Sequence, residues 1–272
     1  MRINDNQINY RLNAEQKKHW KQHGFLKITD LFTQDEKVAI ELWVDEIYNW
    51  PETPGKWMKY FETRNHKRMV CRVENFLDYH SGMKELLSGK RTIGILSELM
   101  SEDAVLFKEK INYKLAGGNG FPPHQDAPAF LSFDQFYHIT MMVAIDQSVI
   151  ANGCLQVVKG GTNNTKFMLQ NKDGSINNEL VKTLQWTPIE CEVGDLLLFD
   201  SYLPHYSEPN NSDHSRRALF VTYNRASDGG SKRTQYYLDK RDKFPPECER
   251  DPNKDYSKGA EVYNIATPIA NQ

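Results

Sequence analysis

The sequence predicts a mainly β protein, an all-β sandwich or barrel wrapped by helices from its N-terminal third. Three observations carry this reading. From Ala104 onward, short β-rich runs alternate with turns, at 104–115, 138–146, 154–158, 181–193, 195–200 and 217–224. Before that point the chain carries helix start and stop signals instead. No internal repeat, low-complexity tract or long Gly/Ser linker divides the 272 residues. One domain over 1–272 is therefore expected, with a mainly helical wrap (1–103), a β core (104–224) and a loop-rich cover (225–272).

Taken in order, Asn13-Ala-Glu-Gln offers an N-cap for a short helix through Trp20 and His23, which Gly24 closes. Phe25–Ile28 is a strand candidate. Thr33-Gln-Asp-Glu36 has the form of a capping box, opening a helix whose apolar positions Val38, Leu42, Ile47 and Tyr48 roughly follow a helical period. Pro51, Pro54 and Gly55 break the chain into a loop, and two further helices are expected around Leu86–Leu87 and Ile93–Met100. Val193-Gly194-Asp195 ahead of Leu196–Phe199 reads as a turn and then a strand. The polar tail from Arg225 is read as ordered, because Tyr236, Tyr237, Phe244, Tyr256 and Tyr263 need something to pack on.

Composition narrows the function. Lys and Arg number 34 against 36 Asp and Glu, a formal net charge of −2, so an electrostatic nucleic-acid or membrane binder is not expected. No apolar run approaches the ~20 residues that span a bilayer, and the N-terminus leads into no apolar signal core. Cys71, Cys154, Cys191 and Cys248 form no CxxC pair and read as thiols of a reducing, cytoplasmic compartment.

The chemistry is expected to reside in His124-Gln-Asp126, which follows a Gly-rich turn and Pro122-Pro123. In extended backbone a His and an Asp two residues apart point the same way and offer an imidazole and a carboxylate to one metal. His205 lies 79 residues beyond Asp126, after the Leu196–Asp200 strand, and offers a third ligand. Two His and one carboxylate on one face leave three positions open, the arrangement of non-heme Fe(II) oxygenases. Arg216 then opens the apolar run Ala218–Asn224. A guanidinium deep in a barrel suits a carboxylate held in a bidentate pair.

The ordered set Lys114, Pro123–Asp126, Asn152-Gly-Cys-Leu155, Gly160, Val193-Gly-Asp195, His205-x-Ser207 and Arg216 resembles the phytanoyl-CoA dioxygenase family of Fe(II)/2-oxoglutarate oxygenases over residues 15–225. The resemblance implies a double-stranded β-helix (jelly roll), Fe(II), 2-oxoglutarate as cosubstrate, O2, and hydroxylation of a C–H bond with release of succinate and CO2. It makes His124, Asp126 and His205 the iron ligands. Arg216 and Ser207 would clamp the distal carboxylate of 2-oxoglutarate, and Lys110, Thr140 and Met142 would line its pocket. Arg72 falls where a basic pocket residue occurs. Asp126 is present where the family's halogenating branch has a small residue, so hydroxylation is the expected outcome.

Three stretches, Phe107–Gly118, His124–Phe130 and Tyr263–Ile269, are similar to the branch that hydroxylates 2-aminoethylphosphonate or its N-methylated forms. That branch prepares the C–P bond for cleavage by a downstream enzyme. A phosphonate dianion needs cationic donors and an ammonium needs carboxylates or aromatic faces. Arg72, Lys108, Lys114 and Arg225 are candidates for the first, and Tyr137, Tyr202 and Trp57 for the second. Lys108, Lys110, Asn112 and Lys114 share one strand face, either an inward anion-receptive wall or a solvated outer face.

Other readings stand beside these: the same chemistry on an acyl-CoA, carrier-tethered or amino-acid-derived substrate, a jelly roll that binds a ligand without turnover, or a hydrolytic zinc site. His138 reads as a buried or rim histidine, and His19, His23, His66, His80 and His214 as solvated or helix-surface residues. Arg217 reads as a salt-bridging residue on the opposite strand face, and Asp239–Lys243 as a solvated charge run.

Overall fold

The computed structural model describes residues 10–160 and 166–269. Its elements in chain order are α1 (Ala14–His23), β1 (Phe25–Ile28), α2 (Gln34–Asn49), β2 (Met58–Arg64), β3 (Lys67–Glu74), α3 (Ser81–Ser88), α4 (Lys90–Met100), β4 (Ala104–Lys114), β5 (Phe121–His124), β6 (His138–Ala144), β7 (Leu155–Val158), α5 (Asn178–Val181), β8 (Trp186–Ile189), β9 (Leu196–Asp200), β10 (His205–Ser207), β11 (Arg216–Arg225), α6 (Arg233–Lys243) and α7 (Ser257–Tyr263). Local chemistry sets the first of these. Asn13 and Gln16 exchange side-chain and backbone hydrogen bonds at 2.8 and 2.9 Å, and Gly24 ends α1 at φ 65°, a conformation that suits glycine.

The strands form two antiparallel sheets, one of seven in the order β1-β9-β6-β11-β4-β3-β2 and one of four in the order β5-β10-β7-β8. Alternation along the central strands divides two environments. Ile139, Met141 and Val143 of β6, with Leu219, Val221 and Tyr223 of β11, pack outward against Ile40 and Val44 of α2, Leu86 and Leu87 of α3 and Ile95 and Leu96 of α4. Met142, Ala144, Ala218 and Phe220 face the other way, against Leu155 and Val157 of the small sheet. This is the expected jelly roll with helices on its outside. Each buried aliphatic side chain contributes roughly 1.5–3 kcal/mol.

Several expectations are corrected. Helix outweighs strand in the first hundred residues as expected, but β2 and β3 there form an unexpected hairpin that extends the large sheet beside β4. In α2 the buried stripe is Ala39, Ile40, Val44 and Ile47, while Val38 and Leu42 are 44% and 62% exposed. The cover carries α6 and α7 rather than loops alone, and its Tyr236, Tyr237, Phe244 and Tyr263 pack with Met58, Tyr60 and Phe107. Within 181–193 only Trp186–Ile189 is a strand. His80 is buried and caps α3 through Nδ1, which accepts from Met83 N at 3.0 Å. Lys240, inside the supposed solvated run, is 1% exposed. Arg217 pairs with Asp146, Asp45 and Glu41 as expected of its face.

Candidate active site

β5 and β10 lie side by side with His124 and His205 as register partners, and their ring centroids are 4.2 Å apart. The expectation of extended backbone through Asp126 is corrected. The strand stops at His124, and Asp126 takes a right-handed helical conformation (φ −74°, ψ −33°) at the head of a short 3-10 turn, Ala127–Phe133. Ala127 N donates to Ser201 O at 2.8 Å and holds that turn against the end of β9. One ligand atom from each of His124, Asp126 and His205 then lies within 4.8 Å of the others, the one such cluster among the described residues.

Hydrogen bonds prepare all three groups. His124 Nδ1 lies 2.8 Å from Pro122 O and His205 Nδ1 lies 2.9 Å from Leu203 O. A carbonyl only accepts, so both rings carry their proton on Nδ1 and keep the Nε2 lone pair free. Thr140 Oγ1 donates to Asp126 Oδ2 at 3.1 Å, leaving Oδ1 unclaimed by that bond. Burial pushes His124 down to about 3, helped by the neighbouring His205, and burial lowers His205 as well. Burial alone would raise Asp126, yet His205, Lys110 and His124 outweigh it and hold the carboxyl below its ordinary value. Two neutral imidazoles and an ionised carboxylate at neutral pH are the donor set that a divalent iron site requires.

β4 runs past this cluster with Lys108, Lys110, Asn112 and Lys114 on one face. Their register partners on β11 are Thr222, Phe220, Ala218 and Arg216. Since Phe220 and Ala218 belong to the inter-sheet core, the lysine face points inward, which resolves the alternative left open by spacing. At the Lys114 end, Arg216 is 2% exposed, and its Nε and Nη1 have no hydrogen-bond partner among the described residues. Burial pushes it down to about 10. Lys114 Nζ donates to Ser207 Oγ at 2.7 Å, to Gly153 O at 3.4 Å and to Glu208 O. A buried guanidinium with two idle nitrogens is costly until an anion meets it, and a carboxylate has the matching geometry. The donor set therefore fits the distal carboxylate of 2-oxoglutarate. Met142, fully buried, contributes to the adjoining apolar wall.

At the other end a cavity opens beside the cluster, lined by Arg72, Glu74, Lys108, Lys110, Phe121, His124, Asp126, Tyr236, Lys240 and Tyr263 among others. Arg72 Nη2 is buried without a partner among the described residues. No hydrogen bond to a described residue engages the Lys108 or Lys110 ammonium groups. They lie over aromatic faces instead, Lys108 over Phe130 at 4.6 Å and Lys110 over Phe220 at 5.5 Å. Both are half-buried and line this cavity. Burial lowers both, and the cations Arg72 and Lys108 push Lys110 further down.

A family signature described as phytanoyl-CoA dioxygenase (PhyH) matches residues 20–218. The chain belongs to the phytanoyl-CoA dioxygenase family. Within this dioxygenase family it is 53% identical to the 2-aminoethylphosphonate dioxygenase of the uncultured bacterium HF130_AEPn_1, over 94% of this chain and 97% of that one. It is 38% identical to the methylphosphonate hydroxylase of Gimesia maris, over 87% and 90% of the two chains. In three dimensions it superposes on a crystal structure of EctD from S. alaskensis with 2-oxoglutarate and 5-hydroxyectoine, with a TM-score of 0.69, 18% identity and 80% of each chain covered. That likeness supports the jelly roll.

The geometry gathers most of the residues singled out from sequence. His124, Asp126 and His205 cluster. Arg216 and Ser207 flank Lys114, and Lys110, Thr140 and Met142 lie on inward faces, although Thr140 touches Asp126 directly. Arg72 and Lys108 line the cavity. Tyr137 does not line it. Its ring faces Arg225 at 4.2 Å, and its backbone N donates to Asp228. Tyr202 and Trp57 are also elsewhere, the first stacked on Phe167 and the second packed on Trp50. His138 is fully buried, as expected, with Nε2 3.1 Å from Gln135 Oε1. Glu74 and Lys240 were missed. Glu74 shares a strand face with Arg72 two residues before it, a signal hidden because β3 was not foreseen, and Lys240 follows Tyr236 by one helical turn.

Proposed function

We propose that the chain is an Fe(II)/2-oxoglutarate-dependent hydroxylase that installs an α-hydroxyl on a small organophosphonate, 2-aminoethylphosphonate or an N-methylated form of it. The observation that carries the substrate class is the trio of cations with idle donors, Arg72 Nη2, Lys108 and Lys110, beside the His-Asp-His cluster. Bound Fe(II) and 2-oxoglutarate balance each other's charge, and Arg216 meets one carboxylate. The remaining cations then suit a dianion better than a monoanion. Similarity to enzymes named for 2-aminoethylphosphonate and methylphosphonate points the same way.

In this reading His124 Nε2, Asp126 Oδ1 and His205 Nε2 hold the metal, with Thr140 fixing the rotation of the carboxylate. Arg216, with Ser207 and Lys114 at its side, orients 2-oxoglutarate by its far end, and Met142 keeps that end dry. Arg72 and Lys108 anchor the phosphonate so that its α-carbon is presented to the metal, while Lys110 lies between the two ligands. The metal, when bound, supplies O2 activation coupled to oxidation of 2-oxoglutarate to succinate and CO2, with one oxygen atom going to the substrate C–H bond. An α-hydroxyphosphonate is a substrate for oxidative C–P cleavage, so a second enzyme of that class is the expected downstream partner. Among the described residues no helix is long and apolar enough to cross a membrane, and the four cysteines are free thiols. A reducing cytoplasm is the setting we assign.

The test begins with anaerobic addition of Fe(II) and 2-oxoglutarate, which should give a weak visible charge-transfer band. O2 is then admitted with and without 2-aminoethylphosphonate or methylphosphonate, and succinate is measured. Phosphonate-stimulated succinate is expected. A band without stimulation keeps the oxygenase and discards the phosphonate, and the absence of a band overturns both.

A further inference from the structure

If Arg72 meets the substrate anion, something must hold a long guanidinium in one pose inside the cavity. Lys240 does so from a distant part of the chain. Near the end of α6, it donates to both oxygens of Glu74 at 2.7 Å each. Glu74 accepts from Arg72 Nη1 at 3.4 Å, and Asn112 Oδ1 accepts from Arg72 Nε at 2.9 Å. Arg72, Glu74 and Lys240 are 3%, 2% and 1% exposed. Of the guanidinium nitrogens, Nη2 alone is left without a partner among the described residues. The Lys240 ammonium is itself surrounded by the rings of Tyr60, Tyr263 and Tyr236, with centroids at 4.9, 5.7 and 5.9 Å.

We propose that Lys240 is a positioning residue for substrate binding: by sharing both oxygens of Glu74 it holds that carboxylate to the single long contact with Arg72 Nη1 and keeps it from closing a two-pronged pair, so that Arg72 Nη2 stays turned toward the anionic head of the substrate. This inference rests on the phosphonate reading of the site. Its physical basis is competition. A buried carboxylate with free oxygens takes a neighbouring guanidinium in a two-pronged pair, and such a pair would consume the donor meant for the ligand. Helix α6 thereby becomes part of the substrate site rather than a cover over it.

The test is equilibrium binding of 2-aminoethylphosphonate to protein loaded with Ni(II) and 2-oxoglutarate, where no turnover occurs. Lys240→Met should weaken phosphonate binding about tenfold, as expected when a supporting group is lost, with 2-oxoglutarate affinity within about twofold. Lys240→Arg should retain most of the affinity. The double variant Lys240→Met/Glu74→Gln removes the competing charge and should bind more tightly than Lys240→Met, though several-fold more weakly than wild type. A purely structural role for Lys240 would not produce that recovery. Equal binding by wild type and Lys240→Met, or no recovery in the double variant, overturns the relay alone. If Lys240→Met does not fold, the neutral double variant carries the comparison, and wild-type affinity in it is the overturning result. Wild-type protein that binds no phosphonate overturns the proposed function and this role with it.

Discussion

The two ends of the inward face of β4 are both cationic, yet they are built differently. At the Lys114 end the groups come from hydrogen-bonded neighbours, with Lys114 directly opposite Arg216 and Ser207 within reach of Lys114 at 2.7 Å. Lys114 is saturated by its three acceptors, and among the described residues the idle donors at this end belong to Arg216. At the Lys108 end the neighbouring strands β3 and β4 supply only part of the wall, and the rest comes from helices α6 and α7 of the C-terminal cover. Idle donors there are spread over Arg72, Lys108 and Lys110. A site set by adjacent strands has one shape and suits one ligand. A site assembled from distant segments changes when any of them shifts, which is where selectivity among substrates can be adjusted without disturbing the cosubstrate.

This division predicts separable losses. The largest is expected where the ends meet: His205→Ala should lower 2-oxoglutarate turnover by about 10³-fold or more, with iron content falling in parallel. Near-normal succinate release from that variant would remove the cluster from the mechanism. Next, Arg216→Gln should weaken 2-oxoglutarate binding by about 10²-fold, the size typical of truncating one partner of a buried charge pair. Phosphonate binding should change only a few-fold. The ligand-free variant should melt no lower than wild type, because the substitution removes a buried cation with idle donors. Equal loss of both ligands would mean that the two ends are one site.

The same division explains what was legible in the sequence. The central strands β6, β9 and β11 were readable because each carries a run of apolar residues, and β4 because apolar residues flank its charged Lys108–Lys110 centre. Arg216 was readable because it opens such a run. β5 and β10 are four and three residues long, too short for periodicity, and they were located only through the histidines they carry. The β2–β3 hairpin escaped notice because Lys59, Glu62, Arg72 and Glu74 break its apolar pattern with buried charges. Both glutamates find partners remote in sequence, Asn119 for Glu62 at a separation of 57 residues and Lys240 for Glu74 at 166. Pairings of that kind leave no local trace. Lys240 looked solvated for the same reason.

At the substrate end the effects are smaller and shared. Arg72→Leu or Lys108→Met should each raise the KM for the phosphonate by about tenfold, the value of one charge-assisted contact among several, leaving the KM for 2-oxoglutarate unchanged. This end also has a pH signature. Lys108 and Lys110 are lowered by burial, so an arriving anion favours their charged forms. Binding should therefore take up protons, and affinity should fall as pH rises above the depressed values. Calorimetry in buffers of different ionisation enthalpy measures the uptake directly, and buffer-independent heats would show that both lysines are already charged before the ligand arrives.

At the cosubstrate end a further effect appears in stability rather than in turnover or ligand binding. Lys114 is pushed down to about 6, first by burial and then by Arg216 beside it. Its three acceptors favour the ammonium, so the two influences oppose each other within one side chain. In the unfolded chain the amine returns to its ordinary value near ~10.4. Between about pH 6 and that value the unfolded state holds more protons, so this group makes stability rise with pH across the window, by at most about 1.4 kcal/mol per pH unit. Below pH 6 it is protonated in both states and its contribution is flat. Lys114→Met should remove the rise, measured as the difference in denaturation midpoint between variant and wild type from pH 6 to 9. Addition of metal and 2-oxoglutarate should narrow the window in wild type, because a carboxylate held by Arg216 offsets the repulsion that depresses Lys114. A wild type and variant with parallel profiles would show instead that the three acceptors keep Lys114 charged. The Lys114 end would then already be electrostatically complete around its lysine, with Arg216 the one group there that waits for a ligand.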